Sequence, residues 1–117
     1  MSNIEAALKQ HAAALAEVEV QTRTVSEQVL SDYAVAASIA GRIKATLASL
    51  AAAQDVALSY DRQYLAGRKT WLDVMNAARE LAQTEAQLAD LQSTHVVVTW
   101  RLAAYTQGVQ ALVSEAN

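Results

Sequence analysis

Apolar residues in the first quarter of the chain recur in alternating steps of four and three residues. The positions with this spacing are Ile4, Leu8, His11, Leu15, Val18, Thr22, Val25 and Val29. This is the a/d pattern of heptad repeats, which predicts one long helix with a coiled-coil seam. Beyond Asp32 the apolar positions keep a helical period, and we interpret their changed phase as a stutter within the same helix. These later positions are Ile39, Ile43, Leu47, Leu50 and Leu58.

Two glycines are interpreted in different ways. Gly41 lies inside the helical pattern, where glycine costs about 1 kcal/mol relative to alanine, so we expect a small residue at a close contact. Gly67 is the best candidate for a break, because glycine readily adopts the left-handed conformation that ends a helix. Thr70, followed three residues later by Asp73, resembles an N-cap with an acidic first turn. The sequence therefore predicts that one helix ends near Gly67 and a second begins just after it.

The second helix carries two seams. The first follows the heptad pattern without an error through Ala77, Leu81, Thr84, Leu88, Leu91, His95, Val98, Leu102, Tyr105, Val109 and Leu112. The second runs one residue out of phase and is mostly small, with Ala82, Ala86, Ala89, Ser93, Val96, Trp100 and Ala103. A helix with two seams packs against two neighbours, whereas a two-helix hairpin supplies only one. We therefore expect the isolated chain to self-associate as a dimer or tetramer.

These patterns predict an all-α fold, a long antiparallel two-helix coiled-coil hairpin. The expected segments are a descending helix in 1–66, a tip turn in 67–70 and a returning helix in 71–117. Helices of about 60 and about 40 residues rise 1.5 Å per residue, so the first extends about 90 Å. That length is far greater than that of helices in compact domains.

Composition supports helix formation and excludes several functional classes. The 117 residues include 26 alanines and no proline, which favours helix throughout. The absence of cysteine excludes disulfides and thiolate metal sites. The net charge of −3 argues against a nucleic-acid partner, which would require a basic surface. The chain as given shows no signal peptide, and no uninterrupted apolar run of about 18 residues predicts a membrane-spanning helix.

Candidate catalytic and metal-binding residues are few. His11 and His95 both occupy seam positions that a hairpin would keep far apart, so we interpret each as a polar register residue and predict no metal site. The serines have no nucleophile-elbow motif, and Gly67 stands alone, without the further glycines of a phosphate-binding loop. The sequence therefore predicts no enzyme and no cofactor.

Charged and aromatic residues crowd around the predicted turn. They are Tyr60, Asp61, Arg62, Tyr64, Arg68, Lys69, Trp71 and Asp73. One interpretation is a solvated loop whose aromatic side chains cap the hairpin. The other is a recognition tip, because exposed tyrosine, tryptophan and arginine anchor many protein interfaces.

A motif spans the turn. Tyr64-Leu65-Ala66-Gly67 is followed by Trp71-Leu72-Asp73-Val74-Met75-Asn76-Ala77 and then by Arg79-Glu80-Leu81. This run resembles the Tyr-x-x-Gly and Leu-Asp-Val-x-x-Ala motif of TolC-type outer-membrane channel proteins, in which the motif lies at the periplasmic tip of a long helical hairpin. Leu88-Ala89-Asp90 and the run from Trp100 to Gly108 resemble the returning helix of that family, so the likeness covers nearly the whole chain.

The resemblance implies that the chain is one of the two helical hairpins, the second, of each subunit in a homotrimeric channel in the outer membrane of Gram-negative bacteria. Family members join a membrane β-barrel to a hollow periplasmic α-barrel, and a closed ring of helices requires a second seam. Their partners are a periplasmic adaptor and an inner-membrane transporter, and they serve efflux or type I protein secretion. The segments Arg62-Gln63-Tyr64 and Trp71-Leu72-Asp73 resemble secretion-type members. We therefore expect an excised fragment of such a channel.

The family's gate residues fall on four positions near the turn. A tyrosine and a basic residue that hold the entrance shut correspond to Tyr64 and Lys69, and lysine lacks the bidentate fork of the arginine in the well-known example. The two carboxylates of the constriction fall on Asp73 and Asn76, of which only Asp73 is acidic here. Three copies of Asp73 would form a negative ring that favours cations.

The resemblance also implies contact with the adaptor at Ala66, Gly67 and Arg68, because glycine lets a partner backbone approach closely. A different class of function stays open: a free-standing helical hairpin that dimerises into a four-helix bundle and acts as an interaction or scaffold protein. In that case, alanine at Tyr64, Lys69 or Asp73 would change neither partner binding nor conductance.

Overall fold

The chain consists of two long α-helices joined by a tight turn. The computed structural model describes residues 2–116, with α1 at Ser2–Leu65 and α2 at Trp71–Ala116. The helices pack side by side in a rod with extents of 96 × 30 × 14 Å. The predicted all-α hairpin is confirmed, and its helices are 64 and 46 residues long. The outer ends of the predicted segments, Met1 and Asn117, lie outside the described residues.

The two helices run without interruption because their composition offers few alternatives to helix. Alanine dominates, proline is absent, and alanine loses no side-chain entropy in a helix. Threonines, which compete with helical hydrogen bonds elsewhere, are accommodated here by bonding backward along the helix. The hydroxyls of Thr22, Thr84 and Thr106, for example, each donate to the carbonyl four residues earlier at 2.9 to 3.0 Å.

The packed surface of α1 is one unbroken heptad seam. Its buried or half-buried positions are Val29, Asp32, Ala36, Ile39, Ile43, Thr46, Leu50, Ala53, Ala57 and Tyr60. These positions continue the alternating steps that begin at Ile4, so the expected stutter after Asp32 is wrong. Leu47 and Leu58, which suggested the stutter, are exposed on another side of the helix. Alanine and threonine in the true seam carry a weaker hydrophobic signal than those two leucines.

The facing seam of α2 is confirmed over most of its length. Ala77, Leu88, Leu91 and Val98 are buried, and the seam residues between and just beyond them are half-buried. Toward the end of the helix, Val109 and Leu112 are exposed. The small-residue second seam of α2 is exposed at every position from Ala82 to Ala103. A single hairpin therefore covers only one of the two seams.

The core is one thin layer between the helices. Ile39, Leu91 and Val98 form a buried cluster, and Ala36, Ile43 and Leu102 are partly buried against it. Each helix has one neighbour in the chain, so at most about half of its circumference can leave water. None of the side chains described in residues 2–116 is completely buried.

The first 27 described residues of α1 are uncovered. Every residue from 2 to 28 is exposed, including the seam residues Ile4, Leu8 and Leu15. The end of α2 reaches the level of Val18 to Val25, where an open groove is also lined by Val109 and Leu112. The α1 seam therefore continues beyond the part that α2 covers.

One 18-residue window of α1 is long and apolar enough to cross a membrane, judged by length and composition alone. The expectation that no such segment exists relied on uninterrupted apolar runs and was too strict. Frequent alanine keeps the average hydropathy of a window high even where polar residues interrupt the run. The same helix packs along α2 through its heptad seam, so its apolar character also serves the hairpin.

Candidate functional site at the hairpin tip

A hydrogen-bonded turn closes the end of α1. The amide of Arg68 donates a hydrogen bond to the carbonyl oxygen of Gln63 at 2.7 Å. The amide of Gly67 donates to the carbonyl oxygen of Tyr64 at 3.0 Å. This pair of bonds is a Schellman motif, which requires a left-handed residue, and Gly67 has a φ of +77°. The predicted helix end at Gly67 is confirmed. The turn satisfies two carbonyls that would otherwise lack partners at the helix terminus.

A capping box opens α2. The Thr70 hydroxyl accepts a hydrogen bond from the amide of Asp73 at 3.2 Å. In return, Asp73 Oδ2 accepts from the Thr70 amide at 3.0 Å and from the Thr70 hydroxyl at 2.9 Å. This reciprocal arrangement satisfies amides on both sides of the helix start. The N-cap predicted at Thr70 is therefore confirmed.

The same bonds determine the charge state of Asp73. The backbone amide of Thr70, then its hydroxyl, and to a smaller extent the charge of Lys69 lower the pKa of Asp73 below its usual value of 3.8. A weak desolvation effect acts in the opposite direction. A lowered carboxyl pKa means that Asp73 is ionised throughout the neutral range. Its negative charge also lies in the first turn of α2, where the helix dipole favours it.

Aromatic contacts join the two sides of the turn. The rings of Tyr64 and Trp71 lie 5.9 Å apart between centroids, at an angle of 59°. Lys69 Nζ lies 4.4 Å from the centroid of the Tyr60 ring, a cation–π distance. One contact therefore ties the last turn of α1 to the first residue of α2, and the other ties the linking segment back to α1.

The predicted gate residues all lie at this tip, in different surroundings. Lys69 is positioned over Tyr60 and not over Tyr64, with which the resemblance pairs it. The Asp73 carboxylate is held by Thr70, whereas Asn76 is exposed three residues further along the same helix. Residues three apart lie on one side of a helix, so Asp73 and Asn76 share a surface.

The apex of the turn is exposed and flanked by large apolar side chains. Ala66, Gly67 and Arg68 are all exposed. On either side of them, Leu65 is 85% exposed and Leu72 is 67% exposed. The apex therefore presents accessible apolar side chains at one end of the rod.

The two histidines lie far apart. His11 is exposed in the uncovered part of α1, and His95 is half-buried in the α2 seam between Leu91 and Val98. Residues 2–116 contain no group of three or more His, Asp or Glu side chains placed to bind a metal ion. His95 is a polar member of the helix interface, as its seam position indicated.

Sequence reasoning did not single out Asp32, which is only 4% exposed in the middle of the α1 seam. Its Oδ1 accepts a hydrogen bond from Gln28 Nε2 at 3.1 Å, and its Oδ2 lies 3.5 Å from Arg101 Nε on α2. The signal was available in the spacing. Val29, Asp32 and Ala36 follow the three- and four-residue steps of the seam, which place the carboxylate at a position where apolar residues are usual.

Fold and site together define an elongated helical hairpin with a capped, hydrogen-bonded tip and an exposed second seam on α2. The sequence model of the family "Outer membrane efflux protein" matches residues 1–108, and the chain belongs to this family. It is thereby a component of an outer-membrane efflux channel, in a family of transport proteins and not of enzymes, located at the outer membrane and periplasm. No curated protein and no solved structure matches the chain.

Proposed function

We propose that this chain forms a periplasmic hairpin of a homotrimeric outer-membrane channel for type I protein secretion or efflux. In this proposal its tip docks a periplasmic adaptor, which connects the channel to an inner-membrane transporter. Membership of the outer membrane efflux protein family supports the channel class. The observation that carries the proposal furthest is the position of the uncovered seam on α2.

The two seams of α2 lie on nearly opposite sides of the helix. Counted from the packed a/d seam, the exposed positions Ala82, Ala86 and Ala89 fall at b and f. At 3.5 residues per turn, the centre of a b/f stripe is about 150° from the centre of an a/d stripe. In a regular ring of twelve packed helices, each helix meets its two neighbours about 150° apart. The second seam therefore supports a closed ring of that size.

α1 has a matching stripe of small residues. Its b and f positions opposite the packed seam include Ala34, Ala37, Gly41, Ala48 and Ala51, and all of these are exposed. Small side chains allow close approach of helix backbones. A Cβ added at Gly41 would meet no atom within 4 Å, so the close contact predicted there is not formed within one chain. We propose that a neighbouring hairpin supplies it.

We propose that Asp73 lines the channel entrance. The capping box holds its carboxylate and keeps it ionised, so three copies would present a fixed ring of negative charge. Asn76, on the same surface, would add a neutral ring. Tyr64 and Lys69 are proposed as the gate pair, and Lys69 would have to leave the Tyr60 ring to reach Tyr64.

We propose that the adaptor binds the apex. Ala66, Gly67 and Arg68 would contact the partner, and the exposed Leu65 and Leu72 beside them would be buried by it. Side chains in the well-packed, desolvated centre of an interface contribute most of its binding energy, and exposed rim contacts contribute less.

The channel proposal is tested by single-channel conductance in a planar bilayer, using the protein encoded by the complete reading frame that contains these residues. Asp73→Asn removes the charge and keeps an oxygen that accepts from Thr70, so the cap is retained. We expect the cation preference to fall with Asp73→Asn and to persist with the control Asp90→Asn on the same helix. A protein that makes no pore would contradict the proposal and favour a free-standing hairpin.

The docking proposal is tested by measuring the affinity of the same protein for its adaptor. We expect Leu65→Ser at the tip to weaken binding by about tenfold or more, as loss of a well-buried apolar anchor does. The control is Leu47→Ser, which alters an exposed leucine in the middle of the rod. Docking at the tip would be contradicted if both substitutions weakened binding equally, or if neither weakened it. Export of protein compared with small toxic compounds in a channel-deficient host separates secretion from efflux.

A further inference from the structure

Asp32 is a buried charge in an otherwise nearly apolar interface. Its side chain is 6% exposed and faces the side chain of Arg101, which is 45% exposed. Gln28, one turn earlier on α1, donates to Oδ1 and orients the carboxylate. Oδ2, the oxygen nearer Arg101, has no hydrogen-bond partner in the part of the chain that the structure describes. The charge on Arg101 is therefore the main compensation that this oxygen receives.

We infer that the Asp32–Arg101 pair acts together with the turn at Gly67 to select the register in which α2 packs against α1, because the pair lies in the part of the rod far from the turn. The rest of the seam, built largely from alanine, leucine, isoleucine, valine and threonine, distinguishes poorly between registers. A slip of one heptad, about 10 Å along the rod, again places a positions and d positions in the interface. Such a slip costs the apolar residues little free energy, because an apolar side chain is buried about equally well against any apolar residue of the facing helix.

A slipped register is not tolerable for Asp32. Arg101 occupies a g position of α2, and the equivalent positions one heptad earlier and later are Thr94 and Gly108, which carry no charge. The other cation of α2, Arg79, lies 22 positions before Arg101, about 33 Å along the helix. A slip of one heptad in either direction therefore leaves the buried carboxylate of Asp32 with no arginine or lysine facing it, which is strongly unfavourable.

The pair contributes to specificity more than to stability. Half of Arg101 is in water, which screens its attraction for Asp32, while the carboxylate has lost nearly all of its hydration. A buried polar residue in a coiled coil commonly sets register at some expense of stability. The inference does not depend on the proposed channel function, because the pair lies about 50 Å from the tip.

Disulfide cross-linking reports the register directly, because the chain contains no cysteine of its own. Asp32 faces Arg101, and because the helices are antiparallel, Ala36, one turn after Asp32, lies near the level of Val98, one turn before Arg101, so Ala36→Cys with Val98→Cys reports the native register. Ala36→Cys paired with Tyr105→Cys or with Leu91→Cys reports a slip of one heptad in either direction. With Asp32 present, we expect mild oxidation of the 117-residue chain to give only the native intrachain cross-link.

Two substitutions of Asp32 then test the inference. Asp32→Leu supplies an apolar side chain, and Asp32→Asn keeps the shape and removes the charge. In both backgrounds we expect slipped intrachain cross-links, or disulfide-linked dimers from wrongly paired helices, at several times the native background. Cross-linking that stays confined to the native pair in both variants would overturn the inference.

Thermal unfolding separates specificity from simple stabilisation. We expect Arg101→Met to lower Tm by several degrees, because it leaves Asp32 buried without compensation, and Asp32→Leu with Arg101→Met to restore it. The matched control is Arg23→Met, which removes the exposed pair with Glu19 and is expected to leave Tm unchanged. A Tm that falls as far with Asp32→Leu as with Arg101→Met would show a stabilising pair and overturn the specificity role.

Discussion

Replacing Gly67 by alanine is the sharpest test of how the tip is built. Gly67 is the one residue with positive φ among those the structure describes, at +77°, and a Cβ there would meet no atom within 4 Å. The substitution therefore introduces no clash, and its whole effect arises from the backbone. An L-residue in the left-handed region costs about 1 to 2 kcal/mol. Alanine also restricts the unfolded chain, which offsets about 0.4 to 1 kcal/mol.

The net result expected for Gly67→Ala is a loss of about 1 kcal/mol of unfolding free energy, or about 4 °C in Tm. Gly41 and Gly108 provide matched controls, because both lie inside helices and also have open space where a Cβ would be placed. There the same substitution removes a poor helix former and is expected to stabilise the chain by up to about 1 kcal/mol.

The assay is thermal unfolding followed by far-ultraviolet circular dichroism, at low micromolar concentration and at two concentrations to detect self-association. The prediction is a difference of sign: Tm falls for Gly67→Ala and rises for Gly41→Ala and Gly108→Ala. A Tm that rises for Gly67→Ala would refute the assignment of a left-handed helix end at this position. A fall at all three positions would show that the backbone argument is incomplete.

Three further predictions concern the seam and the cap. Val98 is 3% exposed and its neighbour Val97 is 59% exposed. Val98→Ala is therefore expected to lower the unfolding free energy by about 2 kcal/mol, whereas Val97→Ala is expected to be neutral or slightly stabilising. Equal urea-unfolding midpoints for the two variants would contradict the assignment of Val98 to the seam. Thr70→Ala removes the N-cap of α2 and is expected to cost about 1 kcal/mol, measured as a lower Tm; an unchanged Tm would mean that the cap does not contribute. The third concerns pH. The hydrogen bonds from Thr70 lower the pKa of Asp73 below 3.8, so its contribution is fully present above that pH and is lost as pH falls through the folded-state pKa. The Tm difference between the native chain and Asp73→Asn is therefore expected to be constant above about pH 5 and to shrink below about pH 4, and a difference that grows on acidification would refute the direction of the shift.

The heptad pattern predicted the fold because helix and coiled-coil signals are local. Spacing from Ile4 to Val29 and from Ala77 to Tyr105 follows from side-chain periodicity alone, and it identified the packed side of α2 correctly. The tip was accessible for the same reason. A Schellman turn at Gly67 and a capping box at Thr70 depend on residues within five positions of one another.

The middle of α1 was misread because hydrophobicity is an incomplete guide to burial. Leu47 and Leu58 are larger and more apolar than Thr46 and Ala57, yet the smaller residues face α2. In a rod with one thin core, many apolar side chains remain outside, so counting large residues does not locate the seam. Carrying the spacing onward from Val29 would have located it.

Sequence alone determined the helices, the turn, the antiparallel hairpin and the family motif, because each depends on residues that are close together in the chain. Tertiary structure alone decided which cation faces Asp32 and how much of the α1 seam is covered by α2. Those facts depend on how two distant segments are aligned along the rod. Periodicity repeats every seven residues and so leaves that alignment open, whereas a buried charge and a tight turn permit only one.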